Sequence, residues 1–241
     1  MFDALLDAFK SLFHPRIIFL AIWPMAAAVV IWVGLALFFW SDWTTGFTHF
    51  VNNTGVQAYM DADILAWVVK HAAMVLIIVF LIPLIYITAL FIASIFSMPA
   101  MLNFVAARKY PDLERKHGGT FMGSIWNAIA AILIYLVLWV ATLPLWLLAV
   151  TIPLVHLALN GYLNQRLFRY DSLAEHASKE EIELFRERYG WSLFLLGLVL
   201  AFTQFIPILN FFSPIYIGLA FIHYCLAMLK KMRGAALPDA A

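Results

Sequence analysis

Apolar residues run along this chain in long unbroken blocks, and charged residues gather between them. No Asp, Glu, Lys or Arg occurs in residues 17–41, 71–107, 117–165 or 189–229. A helix needs about 20 consecutive apolar residues to cross a hydrocarbon core of ~30 Å. The first block therefore predicts a crossing over residues 17–40. The second predicts another over residues 72–96, kinked at Pro83.

The third and fourth blocks exceed one crossing, and each is interrupted by two prolines. Pro144 and Pro153 break the third, and Pro207 and Pro214 break the fourth. They predict helical hairpins over residues 121–163 and 190–229. Neither apex carries a charge, and only Asn210 and Ser213 are clearly polar in the second. Such a tip in water would expose a large apolar patch. The arms 190–206 and 215–229 are also short for full crossings. A re-entrant hairpin is expected, its tip inside the bilayer and its irregular backbone shielded by protein or a water-filled cavity.

At the N-terminus, residues 1–14 place Phe2, Leu5, Leu6, Phe9, Leu12 and Phe13 on one helical stripe. Asp3, Asp7 and Lys10 lie away from it, which predicts a helix in the membrane interface. Two aspartates and the lack of a small-residue cleavage site speak against a signal peptide. Between the hairpins, residues 166–188 form a polar segment. Within it, Ser178 followed three residues later by Glu181 predicts a capping box. The expected fold is an all-α polytopic membrane protein, a single membrane-embedded domain over residues 1–241. It has two long transmembrane helices, two proline-broken re-entrant helical hairpins and an N-terminal interfacial helix.

Charge placement sets an orientation. Lys10 and Arg16 precede the first crossing, and Arg108, Lys109, Arg115 and Lys116 follow the second. Arg166, Arg169, Lys179, Arg186 and Arg188 lie between the hairpins, and Lys230, Lys231 and Arg233 follow the last. Of 15 basic residues, all but Lys70 then share one side. The positive-inside tendency makes that side the cytoplasm, with both termini on it. The sorting is the same whether the hairpins turn back or cross fully.

Composition agrees with a membrane setting. Of 241 residues, 65% are hydrophobic and 12% charged, and the mean hydropathy is +0.91. Soluble domains carry about 25% charged residues, so this chain lacks the polar skin of a soluble enzyme. A net charge of +1 provides no global field for nucleic acid. The single cysteine, Cys225, excludes an intrachain disulfide.

No zincin, nucleophile-elbow, Walker or dinucleotide-binding motif occurs, so no enzyme class, metal or cofactor is indicated. His156 and Asn160 share a helix face, but two side chains fall short of a zinc site. Polar residues inside the apolar blocks are the better lead, because they face bundle interiors or pathways. They include Ser94, Ser97, Asn103, Asn127, His156, Asn160, Gln204, Asn210 and His223, and helix–helix hydrogen bonding is an alternative role for each. No acidic residue lies in any block, which argues against a carboxylate proton relay. Amides, hydroxyls and the free N–H groups of a helix broken at Pro214 would suit an anion or a neutral solute.

The order of these features resembles the CysZ-like sulfate permease family, which includes the etoposide-induced proteins. Phe9, Lys10, Pro15 and Pro24 match the approach to the first crossing. Ser94, Pro99 and the charged stretch to Lys116 match the end of the second, and Ile206, Pro207, Asn210 and Pro214 match the last apex. The resemblance implies facilitated entry of sulfate across a bacterial inner membrane by a homo-oligomer. The family's basic pair three and four residues after the first proline is replaced here by Ile18 and Phe19, leaving Arg16 nearby.

The resulting expectation is a permease for sulfate or a related small anion, with Arg16, Ser94, Asn103, Gln204 and Asn210 as substrate contacts. Its partners would be the lipid bilayer, the anion and further copies of the chain. The competing expectation is a non-transporting membrane interaction protein of the same fold, motivated by the missing basic pair.

Overall fold

The computed structural model describes residues 1–53 and 62–236. Among the described residues the chain is helical, with no strand. In order, the α-helices are α1 (Phe2–Leu12), α2 (Pro15–Asn52), α3 (Ala62–Lys109), α4 (Phe121–Ala141), α5 (Thr151–Leu173), α6 (Lys179–Ala201) and α7 (Pro207–Ala236). Short 3₁₀ turns, Leu143–Leu147 and Phe202–Phe205, join α4 to α5 and α6 to α7.

The helices form two compact units. One comprises Leu20–Ile95, the larger parts of α2 and α3. There the Trp32 indole donates to Thr88 Oγ1 at 2.9 Å, tying the two helices together. Most of the surrounding side chains are apolar and exposed, such as Leu37, Phe38 and Phe80. Both helices outrun the spans expected at 17–40 and 72–96. Proline at the first helical position lacks only an N–H that would be orphaned anyway, so α2 starts at Pro15. It continues through Pro24, and α3 continues through Pro83 and Pro99.

The second unit comprises Met1–Phe19 and Phe96–Ala241. Its core is built on α7, where Leu219, Phe221, Ile222, Leu226 and Leu229 are fully buried. Phe185, Leu193 and Leu196 of α6 and Leu173 of α5 join them. Phe185 is sealed in this core, its ring tilted against that of Tyr189 with centroids 4.8 Å apart. Helices α5 and α6 meet backbone to backbone, since a Cβ on Gly161 would lie 3.1 Å from Leu198 Cα and one on Gly197 would strike the Gly161 carbonyl. Ala4 and Ala8 bury one face of α1, and the Tyr216 hydroxyl of α7 donates to Leu5 O at 3.3 Å. Phe2, Leu6 and Phe9 stay exposed on α1, as does Phe13 just after it.

The capping box forms as expected: Glu181 N–H donates to Ser178 Oγ at 3.2 Å, and Ser178 N–H donates to Glu181 Oε2 at 2.8 Å. Arg233 near the end of α7 then closes on the same carboxylate at 2.8 and 3.0 Å and donates to His176 O and Glu114 O. Lys116 adds a second cation at 2.9 Å. The Arg233 guanidinium, chiefly, holds the Glu181 carboxyl down at about 2.

Two of the four proline breaks are corrected. Pro144 sits in the first 3₁₀ turn and Pro207 opens α7, so chain reversal occurs at both. Pro153 is instead the third residue of α5, in a first turn whose N–H groups have no helical partner to lose. Pro214 lies inside α7, which runs through it. The second turn therefore falls at 202–206, ahead of the expected apex. Two local constraints fix it there. Ile206, before a proline, is extended at φ −100° and ψ 109°. Buried Thr203 donates to Leu200 O and shares a 2.7 Å hydrogen bond with Ser213.

Candidate functional site

The site residues expected from sequence fall in three places. Arg16 is exposed in the first turn of α2, and Asn103 is exposed near the end of α3. These two ends adjoin. The His14 ring lies 4.6 Å from the Phe104 ring, and Arg108 lies 5.1 Å over the other partner of that contact, Phe104. Arg16 N–H donates to His14 Nδ1 at 3.3 Å, holding the turn. Lys109 pairs with Asp7 of α1 just beyond. Arg16, Asn103 and Arg108 are thus exposed polar residues on two adjoining helix ends.

Gln204 and Asn210 lie at the second hairpin turn, Gln204 half-buried and Asn210 exposed. The N–H of Asn210 already donates to Ile206 O at 2.7 Å. The free N–H groups expected at Pro214 do not exist, because the helix is continuous there. Ser94 falls within α3, and its side chain lies outside the described residues. The His14–Phe104 contact thus brings together the helix ends that carry Arg16 and Asn103, while Gln204 and Asn210 belong to the second hairpin turn. His156 and Asn160 make a local bond, Asn160 Nδ2 to His156 O at 2.9 Å. No group of metal-ligating side chains occurs among the described residues.

Sequence reading missed a second cationic feature. A groove of about 760 Å³ lies among α4, α5 and α6, with Arg166, Arg169, Lys179 and Arg186 in its walls. Arg166 and Arg169 are one helical turn apart on α5, and Lys179 and Arg186 two turns apart on α6, so their spacing was visible. What the spacing could not show is that the two pairs converge. Asn127 braces the groove by donating to Arg166 O at 2.9 Å, and Arg166 donates to the Tyr162 hydroxyl at 2.7 Å. Burial, reinforced by Arg186 and Arg166, pushes the Arg169 guanidinium below its ordinary range, against smaller opposing pulls. Nearby, burial raises the Asp171 carboxyl, partly opposed by a hydrogen bond with Ser124.

Among the described residues, four helical segments are long and apolar enough to cross a membrane: Pro15–Val51, Trp67–Ile85, Phe121–Ala141 and Phe212–Gly234. With cationic clusters at helix ends and no strand among the described residues, they define a polytopic helical membrane protein. The chain belongs to the family described as sulfate transporter CysZ/etoposide-induced protein 2.4, whose model matches residues 4–214. No curated protein and no solved structure matches the chain. The family match bears out the resemblance read from the prolines and the last apex.

Proposed function

We propose that this protein is a permease for sulfate or a related small oxyanion, working in a bacterial inner membrane with both termini in the cytoplasm. Beyond family membership, one observation carries the reading: the His14–Phe104 contact gathers Arg16, Asn103 and Arg108 on adjoining helix ends. Two guanidiniums concentrate anions at those ends, and the Asn103 amide offers a neutral donor. Gln204 and Asn210 would serve the passing anion at the hairpin turn, with Ser94 on α3. Exposed Leu147 and Val150 at one turn, and Phe202 and Phe205 at the other, support re-entrant tips that lie in lipid. A single embedded unit over residues 1–241, assembled with further copies of itself, completes the reading.

Uptake of labelled sulfate into proteoliposomes is the test. Wild-type protein should exceed empty vesicles, and Arg16→Ala should lower the initial rate several-fold. Absence of uptake would sink the permease reading and leave a membrane interaction protein of the same fold. A cysteine placed at Leu209, now in the first turn of α7, should label slowly from both sides. Fast labelling from the non-cytoplasmic side would remove the re-entrant tip.

A further inference from the structure

The groove among α4, α5 and α6 has the charge of a site without its counter-ion. Lys109, Arg115, Lys116 and Arg233 each hold a carboxylate, whereas Arg166, Arg169, Lys179 and Arg186 form no ion pair among the described residues. Arg169 is only 9% exposed, and its Nε finds no hydrogen-bond partner. A guanidinium buried beside two others is unfavourable unless an anion answers it. Against its four cations the groove has two glutamates, Glu180 and Glu183, which leaves a net surplus of two positive charges.

Size and placement identify the anion. A volume of about 760 Å³ falls within the roughly 300–1,000 Å³ of pockets that enclose whole small molecules. Lys179 and Arg186 are separated by ~10 Å along α6, further than one inorganic oxyanion reaches. One wall is α4, from its N-cap Thr120 to Asn127, which stands ~9 Å inside the apolar segment that begins at Phe121. Further along the face that carries Asn127, at i+7 and i+11, α4 leaves Ile134 and Leu138 exposed. A cationic groove at the foot of a bare apolar helix matches a molecule with an anionic head and apolar tails.

We propose that this groove binds the phosphodiester headgroup of an anionic phospholipid whose acyl chains lie along α4. Arg166, Arg169 and Arg186 take the phosphate, and Glu180 and Glu183 accept hydrogen bonds from headgroup hydroxyls. The assignment does not depend on what the protein transports.

The test uses the full chain in detergent micelles, with bound lipid counted by native mass spectrometry. Phosphatidylglycerol should be retained at least tenfold over phosphatidylcholine of the same chain length. Arg186→Gln and Arg169→Gln should each reduce that preference several-fold, while Lys230→Gln, outside the groove, should leave it unchanged. Arg186 is exposed, so its variant reports on binding even if loss of buried Arg169 impairs folding. Equal retention of the two lipids, or an unchanged preference in Arg186→Gln, would overturn the proposal. Displacement of phosphatidylglycerol by millimolar inorganic phosphate or sulfate would also overturn it, assigning the groove to a soluble oxyanion. Sulfate uptake measured in parallel separates failure here from failure of the permease reading.

Discussion

Helices α4 and α7 look alike as strings of residues, both apolar and both long enough to span a bilayer. In the fold they are opposites. Only 6% of the apolar window of α4 is buried, against 72% of that of α7. Phe221 on α7 is sealed and stacks on Phe168 of α5 at 5.8 Å, whereas Leu133 on α4 is 57% exposed. Hydropathy measures what a helix can be dissolved in, and lipid and protein interior satisfy it equally. Only packing distinguishes a helix that faces lipid from one that organises the others. The family match ends at residue 214, so the buried length of α7 from Ile215 onward lies beyond it.

That contrast can be broken by mutation. The largest effect is expected from Phe221→Ala, which should destabilise the purified protein by about 3–5 kcal/mol in a denaturant titration. Leu133→Ala should stay within about 0.5 kcal/mol, and equal losses would erase the distinction between the helices. Next, Gly197→Val should cost about 1–3 kcal/mol or more, because the added side chain meets the Gly161 backbone. Gly34→Val is its partner measurement, since nothing lies within 4 Å of a Cβ there; a similar loss at both sites would refute the close contact.

Third, Glu181→Gln removes the anion shared by Arg233 and Lys116 and should lower the melting temperature by several degrees at neutral pH. Its folded-state pKa lies below the ordinary value of 4.5, at about 2. The carboxylate's contribution is therefore present above pH 4.5 and is lost as pH falls towards 2. The gap between wild type and variant should close over that window, and a gap independent of pH would exclude the ion-pair origin. The smallest effect has the opposite sign. Burial raises the Asp171 carboxyl above its ordinary 3.8, so ionising it opposes folding at neutral pH. Asp171→Asn should raise the melting temperature slightly near pH 7 and lose that advantage in acid.

How much was legible in the sequence depended on the range of each interaction. The capping box needed two side chains three residues apart, Ser178 and Glu181, and the helix starts where they place it. The long apolar blocks gave the four candidate spans for the same reason, composition being local. Prolines were half legible. Pro144 and Pro207 turn the chain, whereas Pro153 and Pro214 are absorbed, because a proline's effect depends on its position within a helix that the residue alone does not reveal. The clamp of Arg233 on Glu181 joins residues 52 apart, and the cationic groove joins three helices. For the groove, the sequence marked its arginines as part of the expected cytoplasmic side and, in the competing reading, of a partner surface over residues 166–188, without showing that they converge. Arg16 and Asn103 were proposed residue by residue, but the approach of the helix ends that carry them rests on the His14–Phe104 contact, which no periodicity encodes.

The contact between Gly161 and Gly197 has a consequence for how the protein is made. Helices α5 and α6 are absent from the four segments apolar enough to span alone, yet they lie in backbone contact with each other. During synthesis α4 emerges before this pair and α7 after it, so the fully buried side chains of α7, Leu219 to Leu229, are the last part of the unit's core to be made. A chain halted before α7 would leave Phe185, Leu193 and Leu196 of α6 without that part of the core.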